Sequence, residues 1–102
     1  MSDLQAQLAE MVGDIDWSAL GIHARAGRLV FVDPALDLLE VGAAMAEDDK
    51  VRFGRWLEER LVYKPEPPEV EQRNLNPRQY RVLIVQPFVL AQDLAVADQQ
   101  TD

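Results

Sequence analysis

The fold is decided by residues 29–46, which read LVFVDPALDLLEVGAAMA. The first four residues are apolar on both faces and precede an Asp-Pro pair, which predicts a buried strand that ends in a turn. Asp37 and Glu40 then have the N-cap to N3 spacing that opens a helix. Because residues 38–46 are apolar nearly all round, we expect this helix to be the most enclosed element of the fold.

Apolar residues at helical spacing predict further helices on both sides of this stretch. These helices cover residues 2–12, 16–27 and 49–60, and a short one opens at Pro67 or Pro68. Residues 80–86 form the second strong strand, which residues 88–90 continue, and 61–64 form a short one. The predicted fold class is therefore α+β, with a small sheet of two to four strands packed with four or five helices.

The element order from the second helix onward is also that of a winged-helix domain. In that interpretation residues 37–46 and 49–60 are the helix-turn-helix, and residues 61–86 are the wing hairpin. Other short α+β domains reach the same order, so this topology is one of several. We expect one domain over residues 1–92 and a flexible acidic tail over residues 93–102.

Composition excludes several classes of protein. With 102 residues the chain has room for one core, and its apolar runs are far shorter than the roughly 18–20 residues of a membrane span. The N-terminus lacks the basic start and apolar region of a secretory signal, so we expect a cytoplasmic protein. The net charge of −8 comes from the two ends of the chain and opposes binding to nucleic acid.

The sequence offers few groups for nucleophilic catalysis. It holds one His, two Ser, one Thr and no Cys, and it has no glycine-rich phosphate-binding motif. The single histidine, His23, and Ser18 are five residues apart on one helix and point in different directions, so they cannot form a triad. We therefore predict no catalytic residues, no cofactor and no metal.

Carboxylates are the one plentiful reactive group. Asp33 ends a buried strand, and with Asp37 and Glu40 it is the candidate for a magnesium site in an enzyme. The alternative is architectural, in which Asp33 caps the turn with Pro34 while Asp37 and Glu40 open the helix. We favour the architectural interpretation because each role follows from local geometry.

Two further sets of residues are candidates for contact with a partner. Arg52 and Arg55 lie on the helix that would read DNA, but the acidic run at 47–49 precedes them and would face phosphates. A protein contact is therefore the better interpretation of that surface. Pro87 and Phe88 follow a strong strand, and Phe88 is expected on an exposed strand edge where another chain could pair.

Two short motifs, Val32-Asp33-Pro34 and Val85-Gln86-Pro87, carry a family resemblance, together with stretches at 36–41, 46–49, 56–57, 64–65 and 88–92. In these motifs the chain resembles a small bacterial family of uncharacterised proteins, domain-of-unknown-function family 2288, over roughly residues 4–92. The resemblance implies a stand-alone bacterial cytoplasmic protein and brings no activity, cofactor or catalytic residue. It also leads us to expect a Gly at the end of the 49–60 helix, where this chain has Arg60.

We therefore predict a non-enzymatic module that acts through protein contact, with a protein partner or as a homodimer. The alternatives are a winged-helix DNA-binding regulator and a magnesium-dependent enzyme that uses Asp33 and Asp37.

Overall fold

The computed structural model describes residues 3–94, except for the side chains of Asp3 and Gln5. Five helices and five strands occur within that range. In chain order they are α1 (Asp3–Ala9), β1 (Gly13–Asp16), α2 (Trp17–Arg25), β2 (Leu29–Val32), α3 (Leu38–Ala46), α4 (Lys50–Glu58), β3 (Val62–Tyr63), α5 (Pro67–Leu75), β4 (Gln79–Val85) and β5 (Phe88–Asp93).

All five strands join one mixed sheet in the order β1-β4-β5-β2-β3. Only β2 and β5 are parallel, and the other neighbours are antiparallel. The α+β class is confirmed, but the prediction of two to four strands is wrong because β1 was missed. This edge strand is four residues long and contains Gly13 and two aspartates, so its extended form depends on its pairing with β4.

The strand predicted over 80–90 is a hairpin. Its chain reverses at Gln86 and Pro87, which are joined by a cis peptide bond, and Val85 pairs with Phe88 across the turn. Strand β5 then lies between β4 and β2 in the middle of the sheet. The prediction of an exposed strand edge at Phe88 is therefore wrong, since both sides of β5 are paired.

The predicted wing hairpin is not formed. Strand β3 pairs with β2 at one edge of the sheet, and β5 and β2 separate it from β4. After β3 the chain enters α5, which packs beside α2 on the opposite face of the sheet from α3 and α4. The helix pair predicted at 37–46 and 49–60 is present, but the winged-helix interpretation is wrong because residues 61–86 are not a hairpin.

Helices cover both faces of the sheet. On one face α1, α3 and α4 enclose a core that includes Val41, Leu83 and Leu90. On the other face α2 and α5 enclose a second core that includes Tyr80 of β4 and Trp17 of α2 itself. Helix α3 is the most enclosed helix, as its composition predicts, because five of its nine residues are buried. The apolar strand β2 supplies side chains to both cores.

The acidic tail predicted over residues 93–102 overlaps the sheet at its first residue. Asp93 is the last residue of β5. It pairs with Tyr80 of β4, so it belongs to the sheet. Residues 95–102 lie outside the described residues.

Three helices end in the same C-terminal arrangement. In α4 the N–H of Arg60 donates to the carbonyl of Leu57, and the N–H of Leu61 donates to that of Trp56. This is the Schellman motif, whose turning residue has a left-handed backbone. Gly27 (φ 75°), Asp48 (φ 56°) and Arg60 (φ 58°) hold that position after α2, α3 and α4. The glycine expected at position 60 therefore corresponds to a position that requires a left-handed backbone. Arg60 adopts this conformation at a steric cost that glycine would avoid.

Arg60→Gly is expected to raise the free energy of unfolding by about 1 kcal/mol, because glycine adopts positive φ without the steric cost of a Cβ. Urea unfolding would measure the change. Arg60→Ala is the matched control, since it removes the same charge but keeps the Cβ. Equal stability of the two variants would contradict the explanation.

Glycine at position 42 allows α3 to approach the sheet closely. A Cβ at Gly42 would clash with Leu83 Cδ2, and Leu83 is fully buried in β4. At Gly54, in the middle of α4, a Cβ would have no neighbour within 4 Å.

The two glycines should therefore respond in opposite ways to alanine. Gly42→Ala is expected to lower the free energy of unfolding by about 1–2 kcal/mol, because overpacking outweighs the gain in helix propensity. Gly54→Ala is expected to raise it by up to about 1 kcal/mol. Urea unfolding of both variants tests this, and stabilisation by Gly42→Ala would show that Leu83 can move aside.

Candidate functional site

The three candidate carboxylates do not converge on one point. Asp33 Oδ1 accepts a hydrogen bond from the N–H of Ala35 at 2.8 Å, and Asp37 Oδ1 accepts from the N–H of Leu39 at 2.9 Å and caps α3. Glu40 Oε1 instead accepts from Arg52 Nη2 at 2.6 Å. Within residues 3–94 no group of three His, Asp or Glu is placed to hold a metal ion.

The two candidate arginines of α4 have different environments. Arg52 is held by its ion pair with Glu40, and its guanidinium carbon lies 5.3 Å from the centroid of the Trp56 ring. Arg55 is exposed on the same helix. Arg52 therefore joins α4 to α3, and its guanidinium is already paired within the chain although the side chain is 41% exposed.

Phe88 contributes to an apolar groove beside α4. The groove has a volume of about 490 Å³ and runs between α4, the end of α3 and the β3 end of the sheet. We refer to it as the α4 groove, and its lining includes Met45, Lys50, Phe53, Gly54, Leu57, Lys64 and Phe88. Lys64 Nζ lies 5.3 Å from the centroid of the Phe88 ring. The predicted contact residue Phe88 is thus reached through a groove and not through a strand edge.

Pro87 lies elsewhere. It lines a separate depression with His23, Arg28 and Ile84, on the face of the sheet that α2 covers. The structure therefore does not bring the two adjacent candidates, Pro87 and Phe88, into one site.

The apolar surface of the α4 groove continues onto the outside of the helix. Val51 is 75% exposed and Leu57 is 50% exposed, while Trp56 holds the buried position. Phe53, Trp56 and Leu57 have the helical spacing of one buried stripe, so the sequence by itself predicts that Leu57 is in the core and gives Val51 no role. The signal that could have identified this surface is a helix whose apolar residues are too many for one buried stripe.

A second cluster lies on the opposite face of the sheet, around Arg73 of α5. Arg73 Nη1 donates to Tyr80 Oη at 2.7 Å and to Asp93 Oδ2 at 2.8 Å, and Arg78 Nη1 donates to the same Asp93 oxygen at 3.0 Å. The guanidinium carbon of Arg73 lies 5.1 Å from the centroid of the Phe31 ring. These contacts hold α5 against the sheet, and each polar group of the cluster is already engaged within the chain.

Burial in this cluster changes the pKa of its tyrosines. Burial and the hydrogen bond that its hydroxyl donates to Glu69 raise the pKa of Tyr63 to about 12. Burial also raises the pKa of Tyr80, and this effect exceeds the opposing influence of Arg73. Burial lowers the pKa of Arg73, but Asp93, Tyr80 and Glu69 outweigh it, so the net shift is upward.

Folding should therefore weaken at alkaline pH. Tyr63 and Tyr80 are the only two tyrosines, and an unfolded tyrosine ionises near pH 10. Because the folded pKa values are raised, their contribution to stability is complete below about pH 10 and, for Tyr63, is lost as the pH approaches 12. Tyrosinate absorbance at increasing pH should lag behind that of the urea-unfolded chain. Tyr63→Phe should remove one of the two delayed ionisations, and ionisation of both folded tyrosines near pH 10 would contradict this.

Comparison with known proteins identifies a protein family and a similar solved structure. Residues 3–93 match the model of a family described as "Protein of unknown function (DUF2288)". The solved NMR solution structure of PA1075 from Pseudomonas aeruginosa is similar, with 30% sequence identity and a TM-score of 0.75, over 91% of this chain and 86% of that one. No curated protein matches the sequence.

Proposed function

The chain belongs to the DUF2288 family of proteins of unknown function, and from the geometry of its surface we propose that it is a non-enzymatic protein-interaction module. Its binding surface is the α4 groove together with the adjoining exposed side chain of Val51. The observation that carries the proposal is the continuity of this apolar surface, from the concave groove to the outside of α4.

The extent of the surface favours a protein over a small molecule. A small molecule in the groove would leave Val51 exposed, whereas a protein segment could cover the groove and the outer side of α4 together. Burying the exposed parts of Val51 and Leu57 is worth on the order of 1 kcal/mol each. Gly54 lies between these two side chains with open space above it, so the backbone of a partner can approach there.

The two alternative functions have less support. Without a wing hairpin, and with Arg52 paired to Glu40, a DNA-binding role lacks its expected fold and one of the two arginines that would contact DNA. A magnesium enzyme would need the carboxylates of Asp33 and Asp37 to bind the same ion. Instead, each carboxylate accepts a hydrogen bond from a different backbone amide. Within residues 3–94, every helix falls short of the length and hydropathy that a membrane span requires.

Leu57→Glu is expected to abolish protein binding while leaving the fold intact, because Leu57 is half exposed and a charge there would be buried by a partner. Sedimentation and pull-down with the variant and the wild type as bait measure the loss. Leu75→Glu is the matched control, since Leu75 is 85% exposed on α5.

The proposal would be contradicted if the wild type were strictly monomeric and also retained no protein. Equal loss of binding in Leu57→Glu and Leu75→Glu would contradict the placement of the surface on α4.

A further inference from the structure

The solvent-facing side of α4 is centred on Gly54 and overlaps the α4 groove, which Lys50, Gly54 and Leu57 also line. On a helix of 3.6 residues per turn, Lys50, Val51, Leu57 and Glu58 lie within about 60° of Gly54 around the axis. All four of these residues are exposed. This surface, which we refer to as the α4 face, therefore has a glycine at its centre, an aliphatic side chain on either side and one charge of each sign at its ends.

The α4 face is symmetric about Gly54 in its spacing. Lys50 precedes Gly54 by four residues and Glu58 follows it by four, while Val51 and Leu57 are three residues before and after it. If two such helices cross antiparallel at Gly54, Lys50 of each copy lies opposite Glu58 of the other. Val51 likewise lies opposite Leu57. This is the self-complementarity that a two-fold interface requires.

The two charges are poorly explained by the chain's own contacts. The helix dipole favours acidic residues in the first turn and basic residues in the last, and Lys50 and Glu58 have the opposite arrangement. Lys50 Nζ lies 4.0 Å from Asp48 Oδ2 with both side chains more than four-fifths exposed, so this pair contributes little. Glu58 has no ion pair with any residue of 3–94. A partner that offers a carboxylate to Lys50 and a cation to Glu58 would account for both.

The glycine is likewise unexplained within one copy. Gly54 has no positive φ and no neighbour where a Cβ would stand, so neither the backbone nor the packing excludes alanine. Glycine in a helix interior costs about 1 kcal/mol relative to alanine. At a crossing point, however, the absence of a Cβ allows two helix backbones to approach closely.

From these observations we infer that a second copy of this chain binds the α4 face, with the two α4 helices antiparallel and crossing at Gly54. The inference rests on the proposed function, since it names the partner of the same helix. Two Lys50–Glu58 ion pairs form the ends of the interface, and Val51 and Leu57 of both copies form its apolar part.

The association should be weak and dependent on salt. An interface built on a nine-residue helix falls in the class below about 1,200 Å², whose complexes are usually transient. The net charge of −8 on each copy also opposes association at low salt. Sedimentation equilibrium should therefore cover about 5–500 μM protein at about 0.15 M salt, where this general repulsion is screened beyond about 8 Å.

A charge exchange tests the arrangement. Lys50→Glu and Glu58→Lys should each weaken dimerisation about tenfold, because symmetry places two like-charge contacts in every dimer. The double variant restores opposite charges at both ends and should return to within about threefold of the wild type. Both substitutions agree with the helix dipole, so neither should weaken α4 itself. Arg25→Glu and Glu71→Lys, which are exposed on α2 and α5, are the matched controls for charge.

Weakening by each single variant and recovery in the double variant would support the inference. A dimer that both single variants leave unchanged, or that the double variant does not restore, would overturn it. A wild type that stays monomeric at about 500 μM but binds another protein through Leu57 would also overturn it, while the proposed function would stand.

Discussion

The parallel pairing of β5 with β2 joins the last strand to one that lies much earlier in the chain, and it determines where the remaining contacts fall. The N–H of Val89 donates to the carbonyl of Arg28 at 2.9 Å, and this bond begins the pairing of the last strand with the first buried one. With β5 in the centre of the sheet, Phe88 lies beside the end of α3 and α4, while Asp93 lies under α5. Both helical layers therefore depend on one strand that arrives last in the sequence.

The two helical layers differ in how completely they satisfy their own side chains. Around α5, Arg73 and Arg78 share Asp93, and the nearby tyrosine hydroxyls have partners. Around α4, two aliphatic side chains remain exposed and the end charges oppose the helix dipole. The cluster around α5 has its polar groups paired within the chain and so contributes to stability. The exposed aliphatic side chains and end charges of α4 are available to a partner, which is why the proposed interaction is on α4.

Local signals in the sequence identified most elements of the fold. Apolar runs and helical spacing located β2, α3 and α4, and the side chain of Asp37 caps α3 as its position predicts. The left-handed residue at the end of α4 was indicated by the glycine expected at 60. The edge strand β1 and the position of Phe88 were not found, because both depend on β4 and β5, which follow much later in the chain.

The sequence alone determined the α+β class, the enclosed helix α3 and the shortage of nucleophiles, because these follow from composition and from contacts within a few residues. Only the tertiary structure decided the strand order, the separation of Pro87 from Phe88 and the exposure of Leu57. Pairing between distant strands has no local pattern, and a helix buries only as many apolar residues as its neighbours can cover. On α4 the buried position is occupied by Trp56, and Leu57 lies at the surface.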